Sequence, residues 1–409
     1  TVVLFFSVIF LSNVGLETKK FNPLIISQVK KYNENLNLNI KKVKIYLSIK
    51  SLTNPKIRIS TKDPTLTSGQ SKIELKSIDT RIDILSYFKD NFIIEGFEIR
   101  TKDNKIKDLI SIASLEQPSA IIYNIFIKEG YANLRGYIKF DENGKIIDHK
   151  FDGQVKNAKV KFSDKYSFGN INFNFTNQKD KISINNANFH HKKIKLLSDK
   201  INITTDTDGK KIVTGDVRTK KNTIDITLLK DIFKNDLNFI NDQEIVFEIK
   251  NKFSFNIKKG KVKALKYSSK IDLDSLILKQ KNNLLKNYFN NYEDSILLKN
   301  NSIRLKYENK NLNIEGESEY SFSESFDKIE YKIDKKNDNY DFLTSINFGS
   351  NPIIIEPIDY SKKKNKKSNL KLKGSYNKNK VKFNEVIYNE GSNFFEIKDL
   401  ILNNKFKIV

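Results

Sequence analysis

The 409-residue chain contains no cysteine, methionine or tryptophan, and it has only three histidines. Without cysteine there can be no disulfide, no thiolate metal site and no cysteine nucleophile. Histidine, the commonest metal ligand and general base, is limited to His149, His190 and His191. We therefore predict that the chain is not an enzyme and uses no metal and no cofactor.

Three short motifs imitate metal sites, and each is better explained by ordinary strand or turn geometry. The neighbours Asp148–His149 and His190–His191 point to opposite faces if they lie in strands. The segment Asp206–Lys210 begins like a calcium loop, but Val217 stands where the bidentate glutamate should be. Phosphate-binding loops and the GxGxxG and GxSxG motifs do not occur in the sequence.

Arginine is scarce although the chain is strongly basic. Lysine and arginine together number 73 against 49 acidic residues, which gives a formal net charge of +24, yet only six of these basic residues are arginine. Recognition of phosphates and bases favours the planar arginine side chain, so we predict no nucleic-acid partner. A lysine-rich exported protein that binds an anionic polymer stays open as an alternative.

Charge is also absent from the first 16 residues, and we interpret residues 1–16 as a membrane anchor that this sequence begins inside. A signal peptide is the alternative, and either would export the rest of the chain. Residues 17–40 are predicted to form an amphipathic helix beside the membrane, with Asn22 as its cap, Pro23 in its first turn and Leu36 on its apolar side. The apolar anchor residues are Val2, Val3, Leu4, Phe5, Phe6, Val8, Ile9, Phe10 and Leu11.

Apolar and polar residues alternate from Val43 onward, which predicts strands with one dry and one wet face. We predict a mainly β fold, in which residues 41–409 form one elongated domain that continues beyond the end of this sequence. Its long, twisted antiparallel sheet is expected to fold into an open groove, with a few short helices. The same dry face could instead close as a barrel or pack on a second sheet. The residues predicted to line the groove and contact lipid are Val43, Ile45, Leu47, Ile49, Ile57, Ile59, Ile73, Leu75, Ile171, Phe173, Phe175, Ile182, Ile184, Ile201 and Ile203.

Breaks in the alternation predict the turns and the covering segments. Hairpin turns are expected at 143–144, 177–180, 208–209 and 259–260, and a bulge or turn near Asn157, where the phase changes by one residue. Two stripes with helical spacing, 106–113 and 284–292, are expected to plug or cover the sheet. The lysine run at 361–369 is interpreted as a solvated hairpin tip or as a contact with anionic lipid heads.

The order of these features resembles that of the AsmA-like proteins, the bacterial relatives of bridge-like lipid transfer proteins that include TamB and YhdP. The apolar segment is followed by a helix that begins at Phe21-Asn22-Pro23, then by the strand KVKIYLSI and the phrase SLTNPKIRIS. The later stretch YIKFDENGKIIDHKFDGQVKNAKV looks like the strand, turn and strand units of that family.

The resemblance implies a single anchor in the bacterial inner membrane and a periplasmic β-groove. Through this groove phospholipid would move toward the outer membrane, with phospholipid acyl chains, the inner membrane and outer-membrane proteins as partners. An outer-membrane β-barrel is the second alternative, because its strands alternate in the same way with the apolar side outward.

Overall fold

Alternating segments of this sequence pair as antiparallel strands almost throughout the computed structural model. The structure describes residues 2–48, 56–83, 94–115, 118–141, 146–164, 166–227, 240–258, 261–279, 289, 292, 295–322, 325–355, 359–377 and 380–403. Contacts divide the chain into two units, each described by itself. Unit 1 contains Thr1–Lys192 and Leu197–Asp208, and unit 2 contains Lys193–Leu196 and Gly209–Val409.

Unit 1 contains the described helices and the first twelve strands, and it shares strand β13 with unit 2. The helices are α1 (Val2–Asn13), α2 (Asn22–Tyr32), α3 (Ile106–Ala113) and the single turn α4 (Tyr123–Phe126), which follows a 3₁₀ turn at Pro118–Ile122. The strands are β1 (Leu16–Thr18), β2 (Asn37–Asn39), β3 (Val43–Ser48), β4 (Lys56–Thr61), β5 (Thr65–Ser68), β6 (Ser71–Asp83), β7 (Ile94–Thr101), β8 (Asn104–Lys105), β9 (Ile127–Phe140), β10 (Ile146–Lys161), β11 (Ser167–Gln178), β12 (Lys181–His191) and β13 (Ile194–Thr205).

The main sheet of unit 1 is antiparallel, in the order β1-β3-β4-β6-β7-β9-β10-β11-β12. A smaller antiparallel set, β2-β5-β6, uses the first half of β6. Helix α2 packs on the beginning of this unit through Phe21 and Ile25, which are buried against Val43, Ile59 and Ile82. The dry face is therefore covered by helix at its N-terminal end.

Unit 2 is an antiparallel sheet with one hairpin outside it. Strands β14 (Lys211–Arg218) and β15 (Asn222–Asp225) both pair with β16, and the order continues β16-β17-β18-β19-β20-β21-β24-β25-β26. The remaining bounds are β16 (Glu244–Lys258), β17 (Lys261–Lys279), β18 (Ser295–Glu308), β19 (Asn311–Ser321), β20 (Asp327–Lys336), β21 (Asn339–Asn347), β22 (Ile353–Ile355), β23 (Tyr360–Lys362), β24 (Asn369–Tyr376), β25 (Lys380–Glu390) and β26 (Asn393–Asn403). Strands β22 and β23 pair only with each other among the described residues.

Several predictions of local structure are confirmed. The turns at 177–180 and 208–209 join β11 to β12 and β13 to β14, and the stripe at 106–113 is helix α3. The phase change is absorbed at Asn157, which has a φ of 50° and lies where the pairing of β10 with both neighbours shifts. The turns at 143–144 and 259–260 lie outside the described residues.

The segment 17–40 differs from the single helix that the sequence predicted. Helix α2 covers only Asn22–Tyr32, between strands β1 and β2, and Leu36 is buried outside it. Phe21 is the N-cap, whereas the Asn22 side chain donates a hydrogen bond to the carbonyl oxygen of Ile40 at 3.0 Å. Asn22 therefore ties the helix to the sheet instead of capping it.

The apolar N-terminal segment forms helix α1, in which Phe6, Ile9 and Phe10 are exposed. Within the part of the chain that the structure describes, no helix has the length and apolar character needed to cross a membrane. A membrane anchor at residues 1–16 stays a prediction.

We expect Ile82→Ala to lower the free energy of unfolding by about 2–5 kcal/mol, because the side chain is 2% exposed beneath the helix-covered face and its loss leaves a cavity. Ile147→Ala is the matched control, since Ile147 is 52% exposed on β10 of the same unit. Urea unfolding followed by circular dichroism measures both. Equal effects of the two substitutions would contradict the assigned core.

Candidate functional site

The dry faces are built by direct cross-strand pairing of apolar residues. In unit 2, partners in register lie on the same face, so a mostly apolar row of residues crosses eight strands. The row is Ile271, Ile303, Gly316, Tyr331, Thr344, Leu372, Val386 and Ile397.

This face encloses a cavity of about 980 Å³, which we call the apolar cavity. Its walls come from strands β17 to β26 and from the segments that cross the sheet beside them. The lining residues are Leu273, Leu276, Leu278, Phe289, Ile296, Leu298, Asn301, Ile303, Ser318, Tyr320, Phe322, Ile329, Tyr331, Ile346, Phe348, Ile353, Ile355, Tyr360, Leu370, Val386, Tyr388, Asn393, Phe394 and Phe395.

A cluster of aromatic rings forms part of the wall of the apolar cavity. The Phe289 ring lies 4.5 Å from that of Phe322 and 5.7 Å from that of Phe348, and Tyr320 lies 5.2 Å from Phe322 (centroid distances). Phe289 and Tyr292 belong to the second helical stripe of the sequence, whose other residues lie mostly outside the described ones. Neither is in a helix, but both are buried against the sheet, in agreement with a covering role.

Three polar side chains that line the apolar cavity, those of Asn301, Ser318 and Tyr320, take part in hydrogen bonds within the protein. The Ser318 hydroxyl donates to Asn301 Oδ1 on the cavity floor, and the Tyr320 hydroxyl donates to the carbonyl oxygen of Asn347 at 2.6 Å. Burial raises the pKa of Tyr320 and that of Tyr331, so both phenols stay neutral at physiological pH. The cavity surface therefore presents hydrocarbon and neutral hydroxyl groups.

Between the paired strands β21 and β24 the chain makes an excursion from the main sheet, whose described residues are 348–355 and 359–368 and include the hairpin β22–β23. Asp327 holds its base, because its carboxylate accepts hydrogen bonds from the backbone of Gly349 and Ser350 and from Asn351 Nδ2, at 2.8–3.1 Å. Lys362 is 1% exposed and donates to the Asn351 carbonyl oxygen at 2.7 Å. Burial lowers the pKa of Lys362, and Asp327 opposes that shift.

A polar chain links this excursion to the rim of the apolar cavity. The Tyr360 hydroxyl donates to Glu390 Oε2 and lies 2.8 Å from the Tyr388 hydroxyl. Glu390 is 2% exposed, and its other oxygen pairs with the ammonium group of Lys366. Because Tyr360 and Tyr388 both line the cavity, the cation at Lys366 is connected to the cavity wall through one buried carboxylate.

Glycines face aromatic rings on these dry faces. The directly paired residues are Gly136 and Phe151, Gly153 and Phe175, Gly316 and Tyr331, and Gly374 and Phe342. At each glycine an added methyl group would lie only 2.3–2.8 Å from an atom of the paired ring. The ring therefore occupies the space that a side chain at the glycine would fill, and it lies over the neighbouring strand instead of projecting away from the sheet.

The predicted lipid-contacting residues of unit 1 fall into two groups. Val43, Ile59, Ile73 and Leu75 are buried beneath helix α2 and its surroundings, where protein atoms already contact them, and Ile45 and Ile57 pack against that cluster. Leu47 is half-buried on β3, and Ile49 lies outside the described residues.

The second group continues along the same dry face, where coverage is thinner. Ile171, Phe173 and Phe175 are half-buried against a small cluster of Ala132, Val155 and Ala158. Ile184 pairs directly with Phe175, and Ile182 is 36% exposed.

Strand β13 extends this face. The Ser183 hydroxyl donates to Asn202 Oδ1 at 2.9 Å, so these two polar residues share the wet face. Ile201 and Ile203 alternate with Asn202 and therefore lie on the dry side with Ile182 and Ile184.

None of the described residues that are predicted to contact lipid lines the apolar cavity. Ile303 and Leu370 lie in alternating runs, so their strands were recognisable, but the runs do not show which strands meet. Phe322 and Phe348 each continue the alternation of the preceding strand one residue past its end, but the alternation does not show that both rings pack against Phe289. Among the described residues, no group of three or more His, Asp or Glu side chains is placed so that it could hold a metal ion.

Comparisons with protein-family models, with curated proteins and with solved structures found no match for this chain.

We expect Gly316→Ala to narrow the apolar cavity, because the new methyl group would lie 2.3 Å from Cζ of Tyr331 and force that ring upward. Uptake of an environment-sensitive apolar dye should fall severalfold while the circular dichroism spectrum stays that of a β protein. Gly169→Ala is the control, since nothing lies within 4 Å of its methyl group. Unchanged dye uptake by the Gly316 variant would contradict the role of this notch.

Proposed function

We propose that this chain is a non-enzymatic lipid carrier whose dry sheet faces shelter acyl chains from water. The observation that carries the proposal is the apolar cavity of about 980 Å³, formed by one face of an antiparallel sheet. Pockets for small ligands commonly measure about 300–1,000 Å³, so this one has room for a large apolar ligand.

The energetics favour a long apolar surface over a single specific pocket. Exposing an acyl chain to water costs about 0.8 kcal/mol per methylene, or roughly 12 kcal/mol for sixteen carbons. A carrier must offset this cost at every point along the path. A mostly apolar row that crosses eight strands of unit 2 can do so, and aromatic rings laid over glycines leave space above the sheet.

The polar chemistry of the cavity supports carriage over catalysis. The Asn301 and Ser318 side chains bond to each other, and the Tyr320 hydroxyl is engaged by a backbone carbonyl. A reaction would need a nucleophile or a general base with a free, suitably poised group, whereas these groups are neutral and paired.

The cellular setting that we propose follows the resemblance to AsmA-like proteins. The chain would be anchored at the inner membrane through residues 1–16, with its bulk in the periplasm. It would move phospholipid between the inner and outer membranes, with outer-membrane proteins as partners at the receiving end.

A detergent-free lipid census tests the proposal directly. The full chain, purified without detergent and extracted into organic solvent, should yield bound lipid by mass spectrometry. Finding no lipid, together with no uptake of a labelled phospholipid, would contradict the carrier function.

Leu298→Glu should reduce bound lipid severalfold, because it places a carboxylate in the wall of the apolar cavity. A bound acyl chain would remove water from that charge, which is energetically costly. The matched control is Leu343→Glu, since Leu343 is 47% exposed on the opposite face of the same sheet. Both are leucine to glutamate changes, so equal lipid loss would argue against the dry face as the binding surface.

Phe173→Glu should block transfer of a labelled phospholipid between vesicles while leaving the β signal in circular dichroism intact. Its ring lies on the half-buried dry face of unit 1, 6.3 Å from that of Phe175. Asn174→Glu, one residue away on the wet face, should transfer normally. Normal transfer by the Phe173 variant would restrict lipid carriage to unit 2.

A further inference from the structure

The loop after strand β23 combines high positive charge with a position next in the chain to Tyr360, which lines the apolar cavity. Residues 361–368 include five lysines and no acid. Two of these lysines have partners: Lys362 is buried among carbonyl groups, and Lys366 pairs with Glu390. Lys363, Lys364 and Lys367 are exposed, and no described carboxylate lies within ion-pair distance of them.

Two lysines on the wet face of the same sheet pair with glutamates of their own or the neighbouring strand. Lys332 lies 3.2 Å from Glu315, and Lys328 lies 2.7 Å from Glu330 and 3.3 Å from Glu317 (N–O distances). Such pairs balance charge locally in a sheet. The three lysines of the loop form no such ion pair with any described residue, although Lys367 lines a separate polar cavity together with Glu317 and Glu319.

The loop is held in place beside the cavity. Buried Lys362 fixes its beginning, and the link from Lys366 through Glu390 to Tyr360 joins it to the cavity wall. Lys363 and Lys364 follow Tyr360 by three and four residues, so their Cα atoms lie within about 13 Å of the Cα of Tyr360 at roughly 3.3 Å per residue. Phe394, which also lines the cavity, is 62% exposed.

An apolar cavity with an adjacent unpaired cationic loop matches an amphiphile with one anionic end. We propose that Lys363, Lys364 and Lys367 form a headgroup site that selects lipids with a net negative, phosphate-bearing headgroup while the acyl chain occupies the apolar cavity. The phosphate oxygens accept hydrogen bonds from the ammonium groups, and the aliphatic lysine stems lie along the apolar rim. This inference rests on the proposed lipid carriage and adds headgroup selectivity to it.

The test compares three lipids with identical acyl chains: an anionic phosphatidylglycerol, a zwitterionic phosphatidylcholine and an uncharged diacylglycerol. The full chain should bind the anionic lipid about tenfold more tightly than the other two, and added salt should reduce that preference. The variant Lys363→Gln/Lys364→Gln/Lys367→Gln should lose the preference and keep its affinity for diacylglycerol.

The control variant Lys252→Gln/Lys261→Gln/Lys263→Gln removes the same charge from exposed strand positions of unit 2 and should keep the preference. Equal affinity of the unmodified chain for all three lipids would overturn the headgroup site and leave lipid carriage intact. Binding of none of them would overturn both proposals. Inorganic phosphate alone should not compete at the lipid concentration used, and competition there would overturn the lipid headgroup as the ligand in favour of a free anion site.

Discussion

The structure depends on strand register, because only correct register keeps the apolar side chains of neighbouring strands on one face. A slip of one residue would move every dry side chain of a strand into water. The sheets nevertheless contain shifts in pairing, and residues with positive φ lie at several of them. Asn157 and Asn170 lie at shifts of β10 and β11, Asn186 lies at one of β12, and Asn300 lies at one of β18. Asparagine tolerates this backbone conformation better than most residues, so part of the asparagine content has a structural use.

The same alternation serves two purposes that differ only in what covers the dry face. At the start of unit 1, helix α2 and its surroundings bury most of the face, and Val43 is 0% exposed. Further along the same sheet, Phe175 and Ile184 are paired in register but only half-buried. In unit 2, aromatic rings and the excursion between β21 and β24 cover part of the face and leave a cavity beside them. Coverage, and not the strand pattern, decides whether such a face is a core or a binding surface.

Local features could be predicted from the sequence, because their causes lie within a few residues. The stripe at 106–113 gave a helix, the turn at 177–180 gave a hairpin, and the phase change located the bulge at Asn157. The cavity could not be predicted, since residues as far apart in the sequence as Leu273 and Phe395 line it only because the strands between them pair in register. The same holds for Lys362, which belongs to a run that looks uniformly solvated yet is anchored by carbonyl groups brought in by the excursion. Asn22 is a residue type that commonly caps helices, but its side chain donates its hydrogen bond to the Ile40 carbonyl oxygen, which lies outside the helix.

A smooth apolar floor places conflicting demands on side-chain size. Aromatic residues bury the most apolar area per position, but an upright ring on a sheet would divide the space above it. Pairing a ring with glycine on the next strand resolves the conflict, because the missing side chain leaves room for the ring to lie down. Glycine costs some strand stability, and the ring laid across it replaces the packing that a side chain would have supplied. Because the arrangement appears at four pairs in two units, it belongs to the design of the dry faces and not to one local turn.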